Sequence, residues 1–532
     1  MKHRTKFKQT TFKFISFCLV FFILTIIFVI FFTSDNSSFS CKQTFVVPNW
    51  SLIVCGFLIC VFLILKKTIN THENHTKDEI FPYLINASIL LLIFQLFVTY
   101  HIYFYTNWDA GAVRVTVHDI LYNQGIITNS GRFYQYSIFT NNINLTAIFI
   151  LIEKYFSKLD FFGYSGLLLC NILLVNLSGL FTSLCVLKIT GEKKYAKITW
   201  FIFAFLVGLS PWISIPYSDT FSIFFPIFSF YLYISQNPNK RNIVRWSVIG
   251  FLCLLGYTIK PTSLIVLIAI LIVESVNLFS EFDWKLLRNK LLSLSTILVA
   301  IPLILLLSVF LRNVVGIEVN REAKFTYLHY IMVGLNQNTD GIYSDQDMEY
   351  SASFDTIEQR NAGDLVIIKQ RLNNFGIKGY LAFLNNKALV NFADGSFAWN
   401  REGNFFYQIP ERNSKISRLL RDVYYPNGKY YLVYLTAIQL LWFVVLILIA
   451  CNCSKLKSPD DQTTTVMLAL VGIIVFVMIF EARARYLFSY TPFFIIGAGL
   501  GLKKLQANLK LFIKFFKLND IRTSLPHLFM IL

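Results

Sequence analysis

Long runs of apolar residues recur along the chain, and short polar or basic gaps separate them. A helix that spans a bilayer needs about 20 predominantly apolar residues, and runs near that length begin close to the N-terminus and continue to residue 502. They do not alternate between apolar and polar positions as membrane β-strands do. The pattern therefore predicts an all-α polytopic membrane protein with about 11 to 13 transmembrane helices, about 12 being favoured.

Two long connections separate the predicted helices. Residues 105–161 form a first outer loop, and residues 312–430 form a large polar segment before the last three helices. The chain divides into a transmembrane core (1–311), this extracytoplasmic segment, the C-terminal helices (431–502) and a basic cytoplasmic tail (503–532). We expect helices near residues 14–32, 48–65, 81–103, 162–187, 198–209, 221–234, 291–310, 431–450, 466–480 and 486–502, and two short ones flanking Lys260-Pro261-Thr262.

Basic residues give the predicted helices a direction. The chain carries 48 Lys and Arg against 30 Asp and Glu, a net charge of +18, and the excess lies in short loops and at the two ends. Short basic loops face the cytoplasm in membrane proteins, which predicts two cytoplasmic termini in a multi-pass protein of the cell membrane. The charge does not indicate nucleic-acid binding, because no recognition module accompanies it.

Charged residues at the predicted outer ends of the helices break this pattern. Charges beside a bilayer are costly, and those that persist are usually functional. Each also has a structural explanation, since Asp109 and Asp219 could cap helices and the arginines could anchor an interface. Basic residues on the outer side nevertheless run against the positive-inside tendency. The segments that contain these charges are Trp108-Asp109-Ala110-Gly111, Pro216 to Thr220, Lys260 and Glu481 to Tyr486.

These groups suit glycosyl transfer from a lipid phosphate. A carboxylate such as Asp109 is suited to taking the proton of an acceptor hydroxyl as that hydroxyl attacks a sugar. Lys260, Arg483 and Arg485 are suited to holding a phosphate leaving group, bidentately in the case of arginine. A prenyl tail among the helices would explain why such an enzyme lies in a membrane.

Several short motifs resemble those of the polytopic bacterial glycosyltransferases of the GT-C class, similar to the family 39 type and its uncharacterised relatives. The similarity covers most of the chain. The motifs are W-D-A-G at Trp108, Y-S-I-F-T-N-N-I-N at Tyr136, Y-S-D-T at Tyr217, G-Y-T-I-K-P-T-S at Gly256, A-D-G-S-F-A-W at Ala393 and E-A-R-A-R-Y at Glu481.

The resemblance implies roles for particular residues and partners. In that class the first outer loop carries the essential carboxylate, which corresponds to Asp109, and the donor is a polyprenyl-phosphate-linked sugar transferred to a glycan or protein acceptor of the cell envelope. Many members have two adjacent acidic residues here, whereas Ala110 follows Asp109, and Thr140 replaces a proline of the second motif. No cofactor is firmly implied, and a divalent metal stays open.

The large polar segment is too long for a passive connector. It either caps the membrane core or recognises the acceptor, with Asp394, Trp399 and Glu402 near the site and Tyr217 and Asp219 in support. His118 and His329 are interpreted as incidental polar groups, and the 7 His and 9 Cys show no metal-binding spacing.

Two other functions remain open. A flippase for lipid-linked saccharides would need charges within its helices, and Glu274 is the main one there. A non-catalytic protein of envelope assembly is the third.

Overall fold

The computed structural model describes residues 2–33, 45–69, 80–122, 131–156, 165–236, 243–280, 284–452 and 459–518. Two stretches of the first outer loop (123–130 and 157–161) and the end of the predicted tail (519–532) lie outside the described residues.

Nearly all regular structure in the described residues is helical. Beyond the helices, Tyr105 and Gln408 form an isolated antiparallel bridge. The α-helices are α1 (Lys2–Phe32), α2 (Asn49–Ile69), α3 (Ile80–Ile102), α4 (Asp109–Tyr122), α5 (Gly131–Ile138), α6 (Asn141–Phe156), α7 (Gly166–Thr190), α8 (Lys193–Phe203), α9 (Ser218–Phe221), α10 (Phe224–Ile234), α11 (Ile243–Ile259), α12 (Ile265–Ser280), α13 (Trp284–Ser295), α14 (Ala300–Val315), α15 (Tyr327–Gly334), α16 (Asp345–Ala352), α17 (Ile357–Phe392), α18 (Lys415–Tyr424), α19 (Tyr431–Ala450), α20 (Asp461–Ile479) and α21 (Thr491–Leu518).

The helices confirm a polytopic helical membrane protein. In the described part of the chain, 7 helices are long and apolar enough to cross a membrane, and shorter apolar helices accompany them at Asn49–Leu63, Ser218–Ile234 and Ile243–Ile259. The number of spans and their sidedness stay predictions.

Short helical turns interrupt the long helices where the charged motifs lie. A 3-10 turn at Pro261–Leu264 follows Lys260 and separates α11 from α12. A second 3-10 segment, Ala484–Tyr490, precedes α21. Proline at the first of these positions has no N–H to donate and cannot continue α11, so the chain breaks where it presents its charged side chains.

The core of the bundle forms around α19. This helix packs against α1, α2 and α21, and its Trp442 is fully buried with Nε1 donating to Phe392 O at 2.8 Å. The contact with α21 requires a glycine, because a Cβ on Gly501 would lie 1.8 Å from Leu448 O. Side-chain packing thus ties the C-terminal helices to the beginning of the chain.

The large polar segment folds over one end of the bundle. Helices α15 and α17 enclose a small apolar core of their own, formed by Met332, Leu335, Ile368 and Phe383. The loop after α17 returns to the start of the first outer loop through the Tyr105–Gln408 bridge. This end of the bundle, which carries the charged motifs, is called the polar end below.

Candidate functional site

A cavity of about 1380 Å³ opens at the polar end. Its walls come from distant parts of the chain: the first outer loop, the α11–α12 junction, α14, the large polar segment and the turn before α21. Asp109, Tyr217, Lys260, Glu402, Arg483 and Arg485 all line it. The structure therefore brings six of the nine predicted site residues to one cavity.

Asp219 lies behind the wall of the cavity and pairs with two cations. Lys260 Nζ donates to its Oδ1, and Arg485 Nη1 donates to its Oδ2 at 2.9 Å. All three side chains are buried, with at most 8% of any one exposed. Because a buried charge is stable only when it is paired, Asp219 holds together α9, Lys260 and the 3-10 segment that precedes α21.

Two glutamates continue this network toward the cavity. Glu402 Oε1 lies 2.9 Å from Arg485 Nε, and its Oε2 lies 3.3 Å from Arg483 Nη1. Arg483 Nε also donates to Glu481 Oε1 at 3.1 Å, and Tyr486 donates to the other oxygen of Glu481 at 2.9 Å. Burial lowers the pKa of both arginines, but Glu402 raises the pKa of each and Glu481 also raises that of Arg483, so both pKa values lie above the usual value. Both guanidiniums are therefore permanent positive charges.

Aromatic rings cover the Arg485 guanidinium. Its central carbon lies 4.6 Å from the ring centre of Trp108 and 5.7 Å from that of Tyr217. The two rings meet edge to face with their centres 5.0 Å apart. Cation–π contacts of this kind add to the ion pairs when water is excluded. Trp108 thus belongs to the wall that fixes Arg485 in place.

Asp109 is the carboxylate that this network leaves without a cation. It begins α4, is half-buried, and accepts a long hydrogen bond of 3.4 Å from Gln135 Nε2. Among the described carboxylates that line the cavity, Glu402 and Glu481 are in ion pairs and Asp109 is in none. Burial raises the pKa of Asp109; Arg485 lowers it, and Glu402 raises it further. A carboxylate in this state accepts a proton more readily than an ordinary one.

The backbone around Asp109 is held from two sides. A Cβ on Gly111 would lie 2.0 Å from Thr106 O, so the chain folds onto itself here and only glycine fits. Asn107 N donates to Asn404 O at 3.2 Å, next to the Tyr105–Gln408 bridge. The motif W-D-A-G therefore fixes the start of α4 relative to the loop that carries Glu402.

The second motif of the first outer loop also reaches the cavity. Thr140 and Asn141 lie at the beginning of α6, and together with Asn142 and Asn144 they line the wall. Asn144 Oδ1 is buried and has no hydrogen-bond partner among the described residues. Amide groups of this kind can hydrogen-bond sugar hydroxyls, so this wall offers polar contacts beside Asp109.

Asp394 and Trp399 lie apart from the cavity lining. Asp394 accepts hydrogen bonds from Ser396 N and Oγ and from Ala398 N at 2.7–2.8 Å. Ala398 has a φ of 59°, in the left-handed region that is costly for a residue with a Cβ. Trp399 is fully buried and donates to Tyr424 O at 2.8 Å. Their partners give both residues a structural role: they shape the loop that presents Glu402.

The structure adds cavity residues that sequence reasoning did not single out. Arg312 near the end of α14 and Lys324 beyond it both line the cavity with exposed side chains. A basic residue at the end of an apolar helix has the appearance of an ordinary interface anchor. The sequence offers one signal for Arg312: its spacing from the apolar positions of α14 places it on the same face of the helix as they are.

His329 also lines the cavity and ends a buried chain of hydrogen bonds. Its Nδ1 lies 2.7 Å from Ser351 Oγ, which in turn donates to Asp364 Oδ1 at 2.7 Å. The serine proton is committed to the carboxylate, so His329 donates from Nδ1 and keeps Nε2 as an acceptor. Burial lowers the pKa of His329 to about 4, which leaves it neutral. The histidine is thus a fixed neutral group, held by the large polar segment.

Within the described ranges, no group of three or more His, Cys, Asp or Glu side chains lies in an arrangement that could hold a metal ion.

Fold and site together define a class: a polytopic helical membrane protein with a charged cavity at one end of its helix bundle. The chain belongs to the family described as "Conserved hypothetical integral membrane protein", whose model matches residues 2–505. A comparison with curated proteins finds none that matches.

Proposed function

We propose that the protein is a glycosyltransferase of the cell membrane that moves a sugar from a polyprenyl-phosphate donor to a cell-envelope acceptor, a glycan or a protein. The proposal rests on one observation: a carboxylate without a cation, Asp109, lines the same cavity as a group of fixed positive charges. The charges suit a phosphate and the carboxylate suits an attacking hydroxyl.

The cavity has an apolar part that suits a lipid donor. Beside the charged wall it is lined by Leu254 and Tyr257 from α11, Ile301 and Leu305 from α14 and Phe476 from α20. The last two helices belong to segments long and apolar enough to cross a membrane. A ligand with a charged head and a long hydrocarbon tail matches such a mixed lining.

In the proposed reaction Asp109 acts as the general base. Its carboxylate takes the proton of the acceptor hydroxyl while the hydroxyl oxygen forms a bond to the anomeric carbon of the donor sugar. The bond between that carbon and the phosphate oxygen breaks, and the phosphate leaves with the electron pair. A single displacement of this kind inverts the configuration at the anomeric carbon. Nearby cations stabilise the charge that develops on the leaving phosphate.

The ion-pair network takes a positioning role in this reaction. Arg485 is paired on two sides and packed under Trp108, so it acts as a fixed source of positive potential near Asp109. Preorganised charges of this type need no rearrangement during the reaction. Lys260 stabilises Asp219 and reaches the substrate through the electrostatic field alone.

A transfer assay on the purified protein tests this function. The protein in lipid nanodiscs is given a polyprenyl-phosphate donor with a radiolabelled sugar together with a cell-envelope acceptor fraction, and the transfer of the label from the lipid to the acceptor is measured. We expect Asp109→Asn to lower the rate by about 10² to 10⁴, the usual contribution of a general base. Asp355→Asn is the matched control, since Asp355 is an exposed carboxylate that does not line the cavity.

The competing functions predict other results. A flippase would move the labelled lipid between leaflets and leave the sugar on it. Full activity in Asp109→Asn would show that another group takes the proton. No turnover with any donor would favour a non-catalytic protein.

A further inference from the structure

The cations that line the cavity fall into two groups. Lys260, Arg483 and Arg485 are all in ion pairs with buried carboxylates. Arg312 and Lys324 have exposed side chains that pair with no other described residue. A phosphate bound by the first group must compete with buried ion pairs, whose loss costs several kcal/mol. The second group meets a phosphate without that competition.

Arg312 ends an apolar stripe on α14. The cavity-lining residues of this helix are Ile301, Ile304, Leu305, Ser308 and Arg312. Steps of three, four and seven residues place side chains on one face of a helix, so the five form a single line. With about 1.5 Å per residue, the line is about 16 Å long and passes from apolar positions to a cation.

This stripe lies at the edge of the bundle. The segment Lys290–Val315 has 22% of its most apolar window buried, the lowest share among the seven candidate spans. Ile301 and Leu305 are 44% and 62% exposed, and Tyr257 of α11, which also lines the cavity, is 47% exposed. A hydrocarbon chain could therefore lie against α14 without displacing a neighbouring helix.

Lys324 is held at the level of its backbone. The buried Arg360 guanidinium donates to Glu322 O at 2.6 Å and to Lys324 O at 3.2 Å. Phe325 N donates to Ile138 O at 3.3 Å and so joins this turn to the first outer loop. The backbone of Lys324 is thus fixed while its ammonium group remains available to a ligand.

We propose that Arg312 and Lys324 bind the phosphate of a polyprenyl phosphate whose prenyl chain lies along the α14 stripe. This assignment rests on the proposed function and names the site of its donor. It transfers phosphate recognition from Lys260, Arg483 and Arg485, the residues that sequence reasoning selected, to two cations without internal partners. The paired cations then stabilise the protein and supply the field.

Binding of a sugar-free ligand tests the assignment independently of catalysis. The full-length protein in nanodiscs is titrated with polyprenyl phosphate, and Kd is measured by native mass spectrometry. We expect Arg312→Gln and Lys324→Gln each to raise Kd about tenfold, the contribution of one hydrogen bond to a charged group. The double variant should raise Kd about 100-fold if the two contacts are independent. Arg321→Gln is the matched control, an exposed arginine nearby that does not line the cavity.

Two further ligands separate head from tail. Polyprenol, which lacks the phosphate, should bind weakly and be insensitive to Arg312→Gln. Inorganic phosphate should not compete at concentrations near the Kd of the lipid. Equal binding of polyprenol or full competition by inorganic phosphate would overturn the assignment of a lipid phosphate. Leu305→Asp should weaken the binding of the lipid and leave that of inorganic phosphate unchanged, since it places a charge on the apolar stripe.

The results distinguish this inference from the proposed function. Loss of lipid binding in Arg312→Gln supports the site even if the wild type transfers no sugar. Transfer by the wild type together with unchanged lipid binding in the double variant would refute the site and leave the function standing. Thermal unfolding of each variant verifies that the protein is folded.

Discussion

Asp219→Asn should destabilise the protein strongly because it removes the shared partner of two buried cations. The amide still accepts a hydrogen bond but no longer balances charge. Arg485 keeps Glu402 as a partner, so Lys260 is the group left uncompensated. With only 7% of its side chain exposed, Lys260 cannot recover its hydration without opening the α11–α12 junction.

The expected loss follows from that burial. Removing one member of a buried ion pair costs about 3–5 kcal/mol. An unfolding entropy of about 2.1 cal/mol/K per residue, taken over 532 residues, gives about 1.1 kcal/mol/K. The melting temperature should therefore fall by about 3–5 °C. We would measure it by differential scanning calorimetry of the protein in detergent at pH 7.

Two variants sharpen this prediction. Glu192→Gln breaks a pair of similar length, 2.7 Å from Lys194, whose carboxylate is 41% exposed, and should cost about 0–1 kcal/mol. Adding Lys260→Met to Asp219→Asn removes the orphaned charge and should recover most of the lost stability. The control Glu192→Gln should itself change the melting temperature by at most about 1 °C. A melting temperature for Asp219→Asn within about 1 °C of that of Glu192→Gln would contradict the prediction. So would a double variant with Lys260→Met that recovers no stability.

Three further predictions concern single residues. Asp109→Asn should lower the transfer rate by about 10² to 10⁴ and yet preserve stability. Burial raises the pKa of Asp109, so the native state binds its proton more tightly, and wild-type stability falls as the pH rises from the pKa of the unfolded chain to that of the native state. Melting temperatures of both proteins from pH 4 upward measure this, and a variant less stable than the wild type at pH 7 would contradict it. Lys387→Met should remove a pH dependence of the opposite sign. Burial lowers the pKa of Lys387 to about 7, so the unfolded chain binds the extra proton and wild-type stability rises between about pH 7 and 10.5. Parallel curves of stability against pH for the two proteins would exclude a buried neutral amine. Gly111→Ala places a Cβ 2.0 Å from Thr106 O and should lower both the transfer rate and the melting temperature. Gly379→Ala should lower neither, because a Cβ there comes no closer than 3.8 Å to a neighbouring atom and the residue does not line the cavity.

The helices were predictable from the sequence because bilayer-length apolar runs leave little choice of structure. Helical residues occupy each predicted segment in the described part of the chain. The proximity of Asp109, Lys260 and Arg485 could also be predicted, since the positive-inside rule predicts that all three lie at the same end of the bundle. Residues far apart in sequence then have only one small region in which to meet.

The pairing of the charges could not be read from the sequence. Asp219 and Lys260 are 41 residues apart, and nothing local shows that each neutralises the other. The sequence also does not indicate that Arg312 lines the cavity, because a lone cation at the end of an apolar helix is sufficiently explained as an interface anchor. Which charges are free for a ligand depends on side-chain contacts between distant segments.

The residues around Asp394 carry a turn signal that can be recognised in the sequence. Asp-Gly-Ser is a turn sequence in which an aspartate commonly hydrogen-bonds the backbone two residues on, and Asp394 makes that bond to Ser396 N. The neighbouring Trp399 suggested sugar binding, but its ring is buried against Trp212 and Phe405. Local turn chemistry accounts for the contacts of Asp394, and acceptor binding by Asp394 and Trp399 stays a prediction.

The most direct test of the account is to follow the sugar itself. Protein in proteoliposomes is incubated with a polyprenyl-phosphate donor labelled in its sugar, together with cell-envelope acceptor fractions, and the label is located by chromatography. We expect the label to leave the lipid and become covalently bound to an acceptor, with one lipid phosphate released per sugar. We expect Asp109→Asn to slow this transfer by about 10² to 10⁴ and Asp355→Asn to leave it unchanged. Label that stays on the lipid with every acceptor, or that only changes leaflet, would contradict the proposed glycosyl transfer.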